Sequence, residues 1–385
     1  LRIAYCAAFQ GPELIRHRTI RRNRALAGSQ KINYVIRILE AKGHEVTVFS
    51  NGVPAERNLR FYPGFHEPVG ACSTVYYPFG LDVPIANTWA VYFGLWALVA
   101  QRHRRNKFDC MIIYNMGMAE IRCGLSASKA LKIPVLLEYE DDARVHTEGH
   151  ATITDRLRCH WINKLAPCLS GCFAPSNRLL DSIPTHNQYL LRGILNDDLI
   201  AQQRSGKYKK EKIVLFTGTL VSCKNIENLI AAWKSLQPSQ WQLHITGTGQ
   251  LADYVKRAAA ETPSIVFHGL VDRENLNKLL CRAAICVNPS CISKSVGNIF
   301  PFKIVEYLAS GAHVLSTIIE EVEPELAKGI TIIDSDDAPS LARGMLACMD
   351  RFPNLPDASA AVQATYSQTT VAENLDKLLR AAVGR

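Results

Sequence analysis

Lys303 stands where a helix should begin, in the segment Asn298-Ile-Phe-Pro-Phe-Lys-Ile-Val-Glu-Tyr-Leu-Ala-Ser-Gly311. Pro301 suits the first helical turn and Gly311 the residue just past the end. Ile304 and Leu308, with Val305 and Ala309, repeat at helical spacing, and His313-Val-Leu-Ser-Thr317 after them reads as a strand. A cation in the first turn opposes the helix dipole, whereas a phosphate bound there is favoured by the dipole and by the free backbone N–H groups. Lys303 therefore reads in two ways: as part of an anion site, or as a solvent-exposed neighbour of Glu306 on an ordinary helix.

Other segments place chemistry-bearing residues at strand ends. Gly218-Thr-Leu-Val-Ser-Cys-Lys-Asn225 follows an apolar strand, where ligands of parallel sheets bind, and sets Lys224 at the mouth of a helix suited to a diphosphate. Asn225 as a plain N-cap beside a solvated Lys224 fits equally. Thr246-Gly-Thr-Gly249 has the look of a dinucleotide turn, but Ala252 replaces the third glycine and no acidic residue ends the strand Ile265–His268. A tight strand-to-helix turn explains it better, and a nicotinamide oxidoreductase would rest on this turn alone. Pro134-Val-Leu-Leu-Glu-Tyr-Glu-Asp-Asp142 ends in Glu138, Glu140, Asp141 and Asp142, carboxylates suited to a hydroxyl-rich ligand or a metal. Helix capping by Asp141 or Asp142 accounts for at least one of them. Asp334-Ser-Asp336 resembles a metal-binding pair, yet it precedes the amphipathic segment Ser340–Cys348 and reads as capping chemistry with no metal required.

The elements that must hold these residues alternate between strand and helix, which argues for parallel sheets with helices on both faces. First-half strands are expected at Ile3–Phe9, Glu45–Ser50, Cys110–Tyr114, Val135–Tyr139 and Cys172–Pro175, with a helix over Gln30–Lys42 stopped by Gly43. The pattern breaks near 193–211, the expected linker, and restarts at Lys212-Ile-Val-Leu-Phe-Thr-Gly218. Strands then follow at Gln242–Thr246, Ile265–His268, Ile285–Asn288, Val314–Thr317 and Thr331–Ile333. The expected fold is α/β, with two doubly wound Rossmann-like domains, 1–195 and 196–365, facing each other across a cleft at the carboxyl ends of their strands. The stretch 366–385 holds an amphipathic helix, Val371–Arg380, expected to pack back on the first domain.

The 385 residues, 48% hydrophobic and 21% charged, exclude disordered and fibrous classes. The net charge of +9 lies in one half: residues 1–192 hold 24 Lys and Arg against 15 Asp and Glu, while residues 193–385 hold 20 of each. An anionic partner for the first half is one reading, with Arg16, Arg18, Arg21, Arg22 and Arg24 its densest part; a solvated helix face is the other. The twelve cysteines form no C-x-x-C pair and no zinc pattern, and Cys6, Cys110 and Cys286 sit in apolar runs, as buried thiols in a reducing cytoplasm would. No leader pattern precedes the first strand. The apolar stretch Trp89–Ala100 is shorter than the ~20 residues a spanning helix needs and reads as a core helix, although the basic run Arg102-His-Arg-Arg-Asn-Lys107 behind it also suits a membrane surface.

Together these segments resemble the family 4 glycosyltransferases, over nearly the whole chain. The family's strand, glycine, basic residue, Leu, three residues, Lys pattern is matched by Gly218-Thr-Leu-Val-Ser-Cys-Lys224, and its later glycine turn by Gly247 and Gly249. Phe267-His-Gly-Leu-Val271 and Val287-Asn-Pro-Ser290 match two further signatures, and Pro301 to Gly311 looks like its P-x-K-x-x-E-Y-L-A-x-G segment. The resemblance implies the GT-B fold and a retaining, metal-free transfer from a nucleotide diphosphate sugar to a glycan or lipid-linked saccharide, as in cell-surface polysaccharide or glycolipid synthesis. It implies that Glu306 accepts from the ribose hydroxyls and that backbone from His268, Gly269 and Leu270 to Val271 meets the base. Lys224, with Gly218, Gly247 and the N–H groups of Ile299, Phe300 and Lys303, would hold the diphosphate, and Gly28-Ser29 would face it from the first half. Glu140 and Asp141 would contact the transferred sugar together with Asn298, which stands where the family has the first Glu of its E-x7-E motif. Thr219 likewise replaces the family's Arg. These departures keep a non-catalytic sugar-nucleotide-binding relative as the alternative. No cofactor, metal or nucleic acid is implied; the expected place is the cytoplasm, peripherally on the inner membrane face.

Overall fold

The computed structural model describes residues 1–18, 26–52, 61–81, 84–115, 117–140, 153–292, 300–317, 319 and 322–384. They form two compact units: Leu1–Leu191 together with Val371–Arg385, and Arg192–Thr370.

The first unit is built on strands β1 (Arg2–Cys6), β2 (Glu45–Phe49), β3 (Phe61–Tyr62), β4 (Phe65–Val69), β5 (Ser73–Tyr77), β6 (Gly80–Leu81), β7 (Cys110–Tyr114), β8 (Val135–Glu138), β9 (Leu169–Ala174) and β10 (Gln188–Leu190). Eight of them make one sheet in the order β10-β9-β8-β7-β1-β2-β5-β4, parallel except for β4 at the edge, and β3 pairs with β6 in a small ribbon. Central strands buried on both faces read as unbroken apolar runs: Ile3–Cys6 and Cys110–Ile113 are fully enclosed. The helix Leu26–Ala41 starts well before the position its periodicity suggests. The helix Pro84–Arg105 turns Val91, Leu95 and Val99 into the core, leaves Trp89 and Phe93 exposed, and ends in Arg102, His103, Arg104 and Arg105. From Val371 on, the terminal helix Gln368–Val383 belongs to this unit, tied by His44 Nε2 to Asp376 at 2.9 Å and by Asn187 Nδ2 donating to the Leu378 carbonyl.

The second unit carries β11 (Glu211–Thr217), β12 (Gln242–Thr246), β13 (Ile265–Gly269), β14 (Ala283–Asn288), β15 (His313–Thr317) and β16 (Ile330–Ile333) in the all-parallel order β13-β12-β11-β14-β15-β16. Chain direction across this sheet reverses between β11 and β14, so its switch point lies beyond Thr217 and Asn288. The segment 193–211 is no linker. Asn196 caps a helix over Asp197–Arg204 by accepting the Asp198 N–H, and Leu199 and Ile200 join the core, so the polar face alone suggested a break. Among the described residues no helix is long and apolar enough to cross a membrane. All twelve cysteines are free.

Candidate functional site

The second unit's turns converge at its switch point for a steric reason. Gly218 donates to the Thr246 carbonyl at 3.1 Å, Leu220 to Thr248 at 2.9 Å, and Gly247 to Gly269 at 2.8 Å, stacking three strand ends side by side. A β-carbon at Gly247 would lie 1.8 Å from the Gly218 carbonyl oxygen, and one at Gly249 2.3 Å from that of Leu220. The Thr246–Gly249 glycines are therefore explained by this close approach.

Into this corner the helix Phe302–Ala309 delivers Lys303 from its first turn, with Pro301 as the N-cap residue rather than inside the helix. Tyr307, one turn on, receives the Thr217 N–H at 3.1 Å and meets its hydroxyl at 2.9 Å, locking the helix to the end of β11. The ammonium of Lys303 lies over the Phe216 ring, 4.7 Å from its centroid. Burial, reinforced by the like charge of Lys224, pushes its pKa down to about 7. Lys224 comes from the short turn Ser222–Lys224 after β11, and Asn225, in left-handed conformation at φ 57°, starts the next helix without capping it. Among the described residues no carboxylate pairs with either lysine. Two ammonium groups from two helix starts, near enough to repel and one of them desolvated, form a site short of negative charge.

Glu306 sits one turn beyond Lys303, where its Oε1 accepts from Arg273 Nη2 at 2.5 Å. Arg273 opens the helix after β13, and Asp272 caps that helix by accepting the Asn275 N–H at 2.8 Å. His268 Nε2 and His244 Nδ1 share a hydrogen bond of 3.1 Å; burial lowers both pKa values, that of His244 to about 4. Leu270, 78% exposed on the following turn, is free to meet a ligand. Phe300 differs from expectation in its side chain: the ring is fully buried, with the enclosed Arg192 guanidinium 4.8 Å from its centroid, so only its main chain is left to face a ligand. Asp336 accepts the Ile292 N–H at 2.6 Å and its carbonyl receives Asn225 Nδ2, while Asp337 performs the capping, accepting Ser340 N–H at 2.7 Å.

In the first unit, the end of β8 gathers a charged cluster. Glu138 is fully buried, hydrogen-bonded to the Tyr5 hydroxyl and 3.2 Å from Lys31 Nζ; Lys31 also contacts Glu140. The Glu140 N–H is held by Asn115 Oδ1 at 2.8 Å. Burial, and after it the neighbouring Glu138 carboxylate, pushes the Tyr5 phenol well above its ordinary range. Gly28 lies beneath the Tyr114 hydroxyl, and Ser29 Oγ accepts the Gln10 N–H at 3.0 Å, fixing the loop after β1. Lys31 and Tyr5 were not apparent as partners, because Lys31 comes from the helix Leu26–Ala41 and Tyr5 from β1, both more than 100 residues before Glu138 and Glu140.

The arginine run is only partly a surface feature. Arg18 is buried and donates to the carbonyls of Gly52 at 2.9 Å and Pro78 at 2.6 Å, so it braces two loops and is no membrane contact. Arg16 is exposed and paired with Glu13 at 2.8 Å. Arg21, Arg22, Arg24, Asp141, Asn298 and Ile299 lie outside the described residues. Among the described residues no group of three or more His, Cys, Asp or Glu side chains is arranged to hold a metal ion.

Residues 211–351 match the family described as Glycosyl transferases group 1. An uncharacterized glycosyltransferase of Methanocaldococcus jannaschii is 34% identical over 116 residues, which span 29% of this chain and only 28% of that relative. Sucrose-phosphate synthase from Thermosynechococcus elongatus superposes with a TM-score of 0.68 at 17% identity, covering 98% of each chain. HepE of Anabaena, solved in complex with UDP, does so with 0.62 at 16% identity, covering 99% of this chain and 100% of that one. The fold is GT-B, and the second unit carries the group 1 glycosyl transferase segment.

Proposed function

We propose that this chain is a retaining glycosyltransferase that takes its sugar from a nucleoside diphosphate donor bound at Lys224 and Lys303 and passes it to a glycan or lipid-linked saccharide. The observation that carries the reading is the pair of lysines at the switch point, near enough to repel each other, with no carboxylate pairing with either among the described residues. A nucleoside diphosphate leaves readily only if the charge developing on its phosphates is stabilised, and two ammonium groups with a helix N-terminus supply that without reorganisation. Glu306, steadied by Arg273, takes the ribose hydroxyls, and the turn from His268 to Leu270 takes the base. UDP is the first nucleotide to try, since HepE of Anabaena was solved with it.

In the first unit, Glu140 and Lys31 serve sugar hydroxyls, with Glu138 and Tyr5 holding them from below. The leaving phosphate accepts the acceptor's proton, so no side-chain nucleophile and no metal enters the reading. Contact with an anionic membrane surface belongs to the same proposal, supported by the basic excess of the first half and by the last turn of the helix Pro84–Arg105. Thr219, exposed and uncharged beside Gly218, favours the second reading, a sugar-nucleotide-binding protein without catalysis. Incubation with a panel of nucleotide sugars and saccharide acceptors separates the two. Release of nucleotide with a glycosylated product supports the enzyme; saturable binding without product leaves the binding protein.

A further inference from the structure

The helix Pro84–Arg105 carries Trp89, Tyr92, Phe93 and Trp96 on one stripe beside its core face of Val91, Leu95 and Val99; Trp96 packs partly against the core, while Trp89 and Phe93 are exposed. Against this stripe Arg122, from the helix Met118–Ser126, lays its guanidinium 3.9 Å from the Trp89 centroid and 4.1 Å from that of Tyr92. Trp161, from the helix Ile153–Leu165, closes a third side at 5.1 Å. Beside them opens a cavity of about 370 Å³, to which Ser126 and Lys129 also contribute. Its size falls in the range of small-ligand sites.

Three features make this a built site. Arg122 is partly withdrawn from water, which lowers its pKa, yet among the described residues no carboxylate or carbonyl bonds it. Its faces are covered by rings, so its N–H edge is what remains to bind, and in a fixed direction. Lys129 adds a second, exposed cation that no carboxylate pairs with among the described residues. The helix Met118–Ser126 begins beyond the carboxyl end of β7 and runs back along the sheet. Ser126 and Lys129 therefore lie towards the opposite edge from Glu138 and Glu140.

We propose that this pocket binds a saccharide bearing an anionic group, its phosphate or carboxylate on Arg122 and Lys129 and the C–H face of its ring against Trp96, the aromatic wall that Arg122 does not cover. The flat aromatic wall suits a pyranose ring, and the planar guanidinium suits a two-oxygen anion.

Tryptophan fluorescence of the intact chain, titrated with glucose 6-phosphate, glucuronate, glucose and inorganic phosphate, tests this. The anionic sugars should quench saturably, with Kd at least about tenfold below those of glucose and of phosphate, as loss of a charge-assisted hydrogen bond or of the ring contact implies. Arg122→Gln should raise that Kd at least about tenfold, while Arg122→Lys retains part of the binding and Lys303→Met all of it. In the unaltered chain, glucuronate should protect the backbone of 118–131 and 156–165 from hydrogen exchange, a readout independent of whether any variant folds. Phosphate binding as tightly as glucose 6-phosphate, affinity unchanged by Arg122→Gln, or quenching lost only in Lys303→Met would overturn the assignment. So would Arg122-dependent binding to phosphatidylserine vesicles with no response to the sugars. A separate UDP titration reads the second unit's lysines, so failure there and failure here are told apart.

Discussion

Arg273 holds Glu306 by a 2.5 Å ion pair across 33 residues of sequence, joining the helix after β13 to the helix that carries Lys303. The contact engages Oε1 of Glu306. The carboxylate thus arrives oriented, with its other oxygen available to a vicinal pair of hydroxyls.

This pairing makes a ribose test specific. The native chain should prefer UDP over 2′-deoxy-UDP by about tenfold, and Glu306→Ala should erase the preference, because a hydroxyl is rejected or kept by the group that bonds it. Arg273→Gln should weaken UDP several-fold while leaving Tm nearly unchanged, since a partly exposed ion pair contributes only about 0–1 kcal/mol to stability. Calorimetric titration of both nucleotides checks this. A preference that survives Glu306→Ala removes the ribose assignment.

Lys303 predicts proton uptake. With its pKa near 7 in the free protein, the ammonium is largely deprotonated above neutrality, and a bound diphosphate raises the pKa again. Binding should therefore take up a proton, and affinity should fall as pH rises from 7 to 9. Titrations in buffers of different ionisation enthalpy measure the uptake. Lys303→Met should abolish it, and Lys224→Met, by removing the like charge, should move the pH break upward.

The His244–His268 pair predicts acid sensitivity. Both imidazoles are held neutral by burial, His244 down to about 4, whereas in the unfolded chain they take protons near pH 6.5. Their folded pKa values are depressed, so the unfolded state binds more protons through this window, and stability is lost as pH falls from about 6.5 towards 4. The Tm of His244→Gln should decline less over that range than that of the native chain. Parallel curves would assign acid unfolding to other groups.

Gly247→Ala should destabilise the second unit by more than about 2 kcal/mol, for its β-carbon would meet the Gly218 carbonyl at φ 141°. Gly206→Ala is the control: φ is 64°, but nothing lies within 4 Å. Urea denaturation of the two variants should differ by the cost of the clash.

Much of the second unit was legible because parallel strands buried on both faces leave apolar runs that name themselves. Gln242–Thr246 emerges with the bounds read from sequence, and Lys303 takes its place in a helix's first turn. The edge of the first sheet was not legible. Phe65–Val69 contains His66, Glu67 and Pro68, and pairs antiparallel where one side faces water. Arg18 looked like one more surface charge because its two acceptors are main-chain carbonyls that no side-chain pattern announces. Arg273 was invisible for another reason: its partner Glu306 lies 33 residues on, in a different helix, and no local spacing pairs them.

The most direct test of the donor site is a calorimetric titration of UDP, GDP and ADP into the native chain and into the Lys224→Met, Lys303→Met double variant, with inorganic phosphate as the reference. One nucleotide should bind the native chain well above phosphate and lose about a hundredfold in affinity in the variant, as removal of two charge-assisted contacts implies. Equal binding by both proteins, or no nucleotide binding better than phosphate, would contradict it.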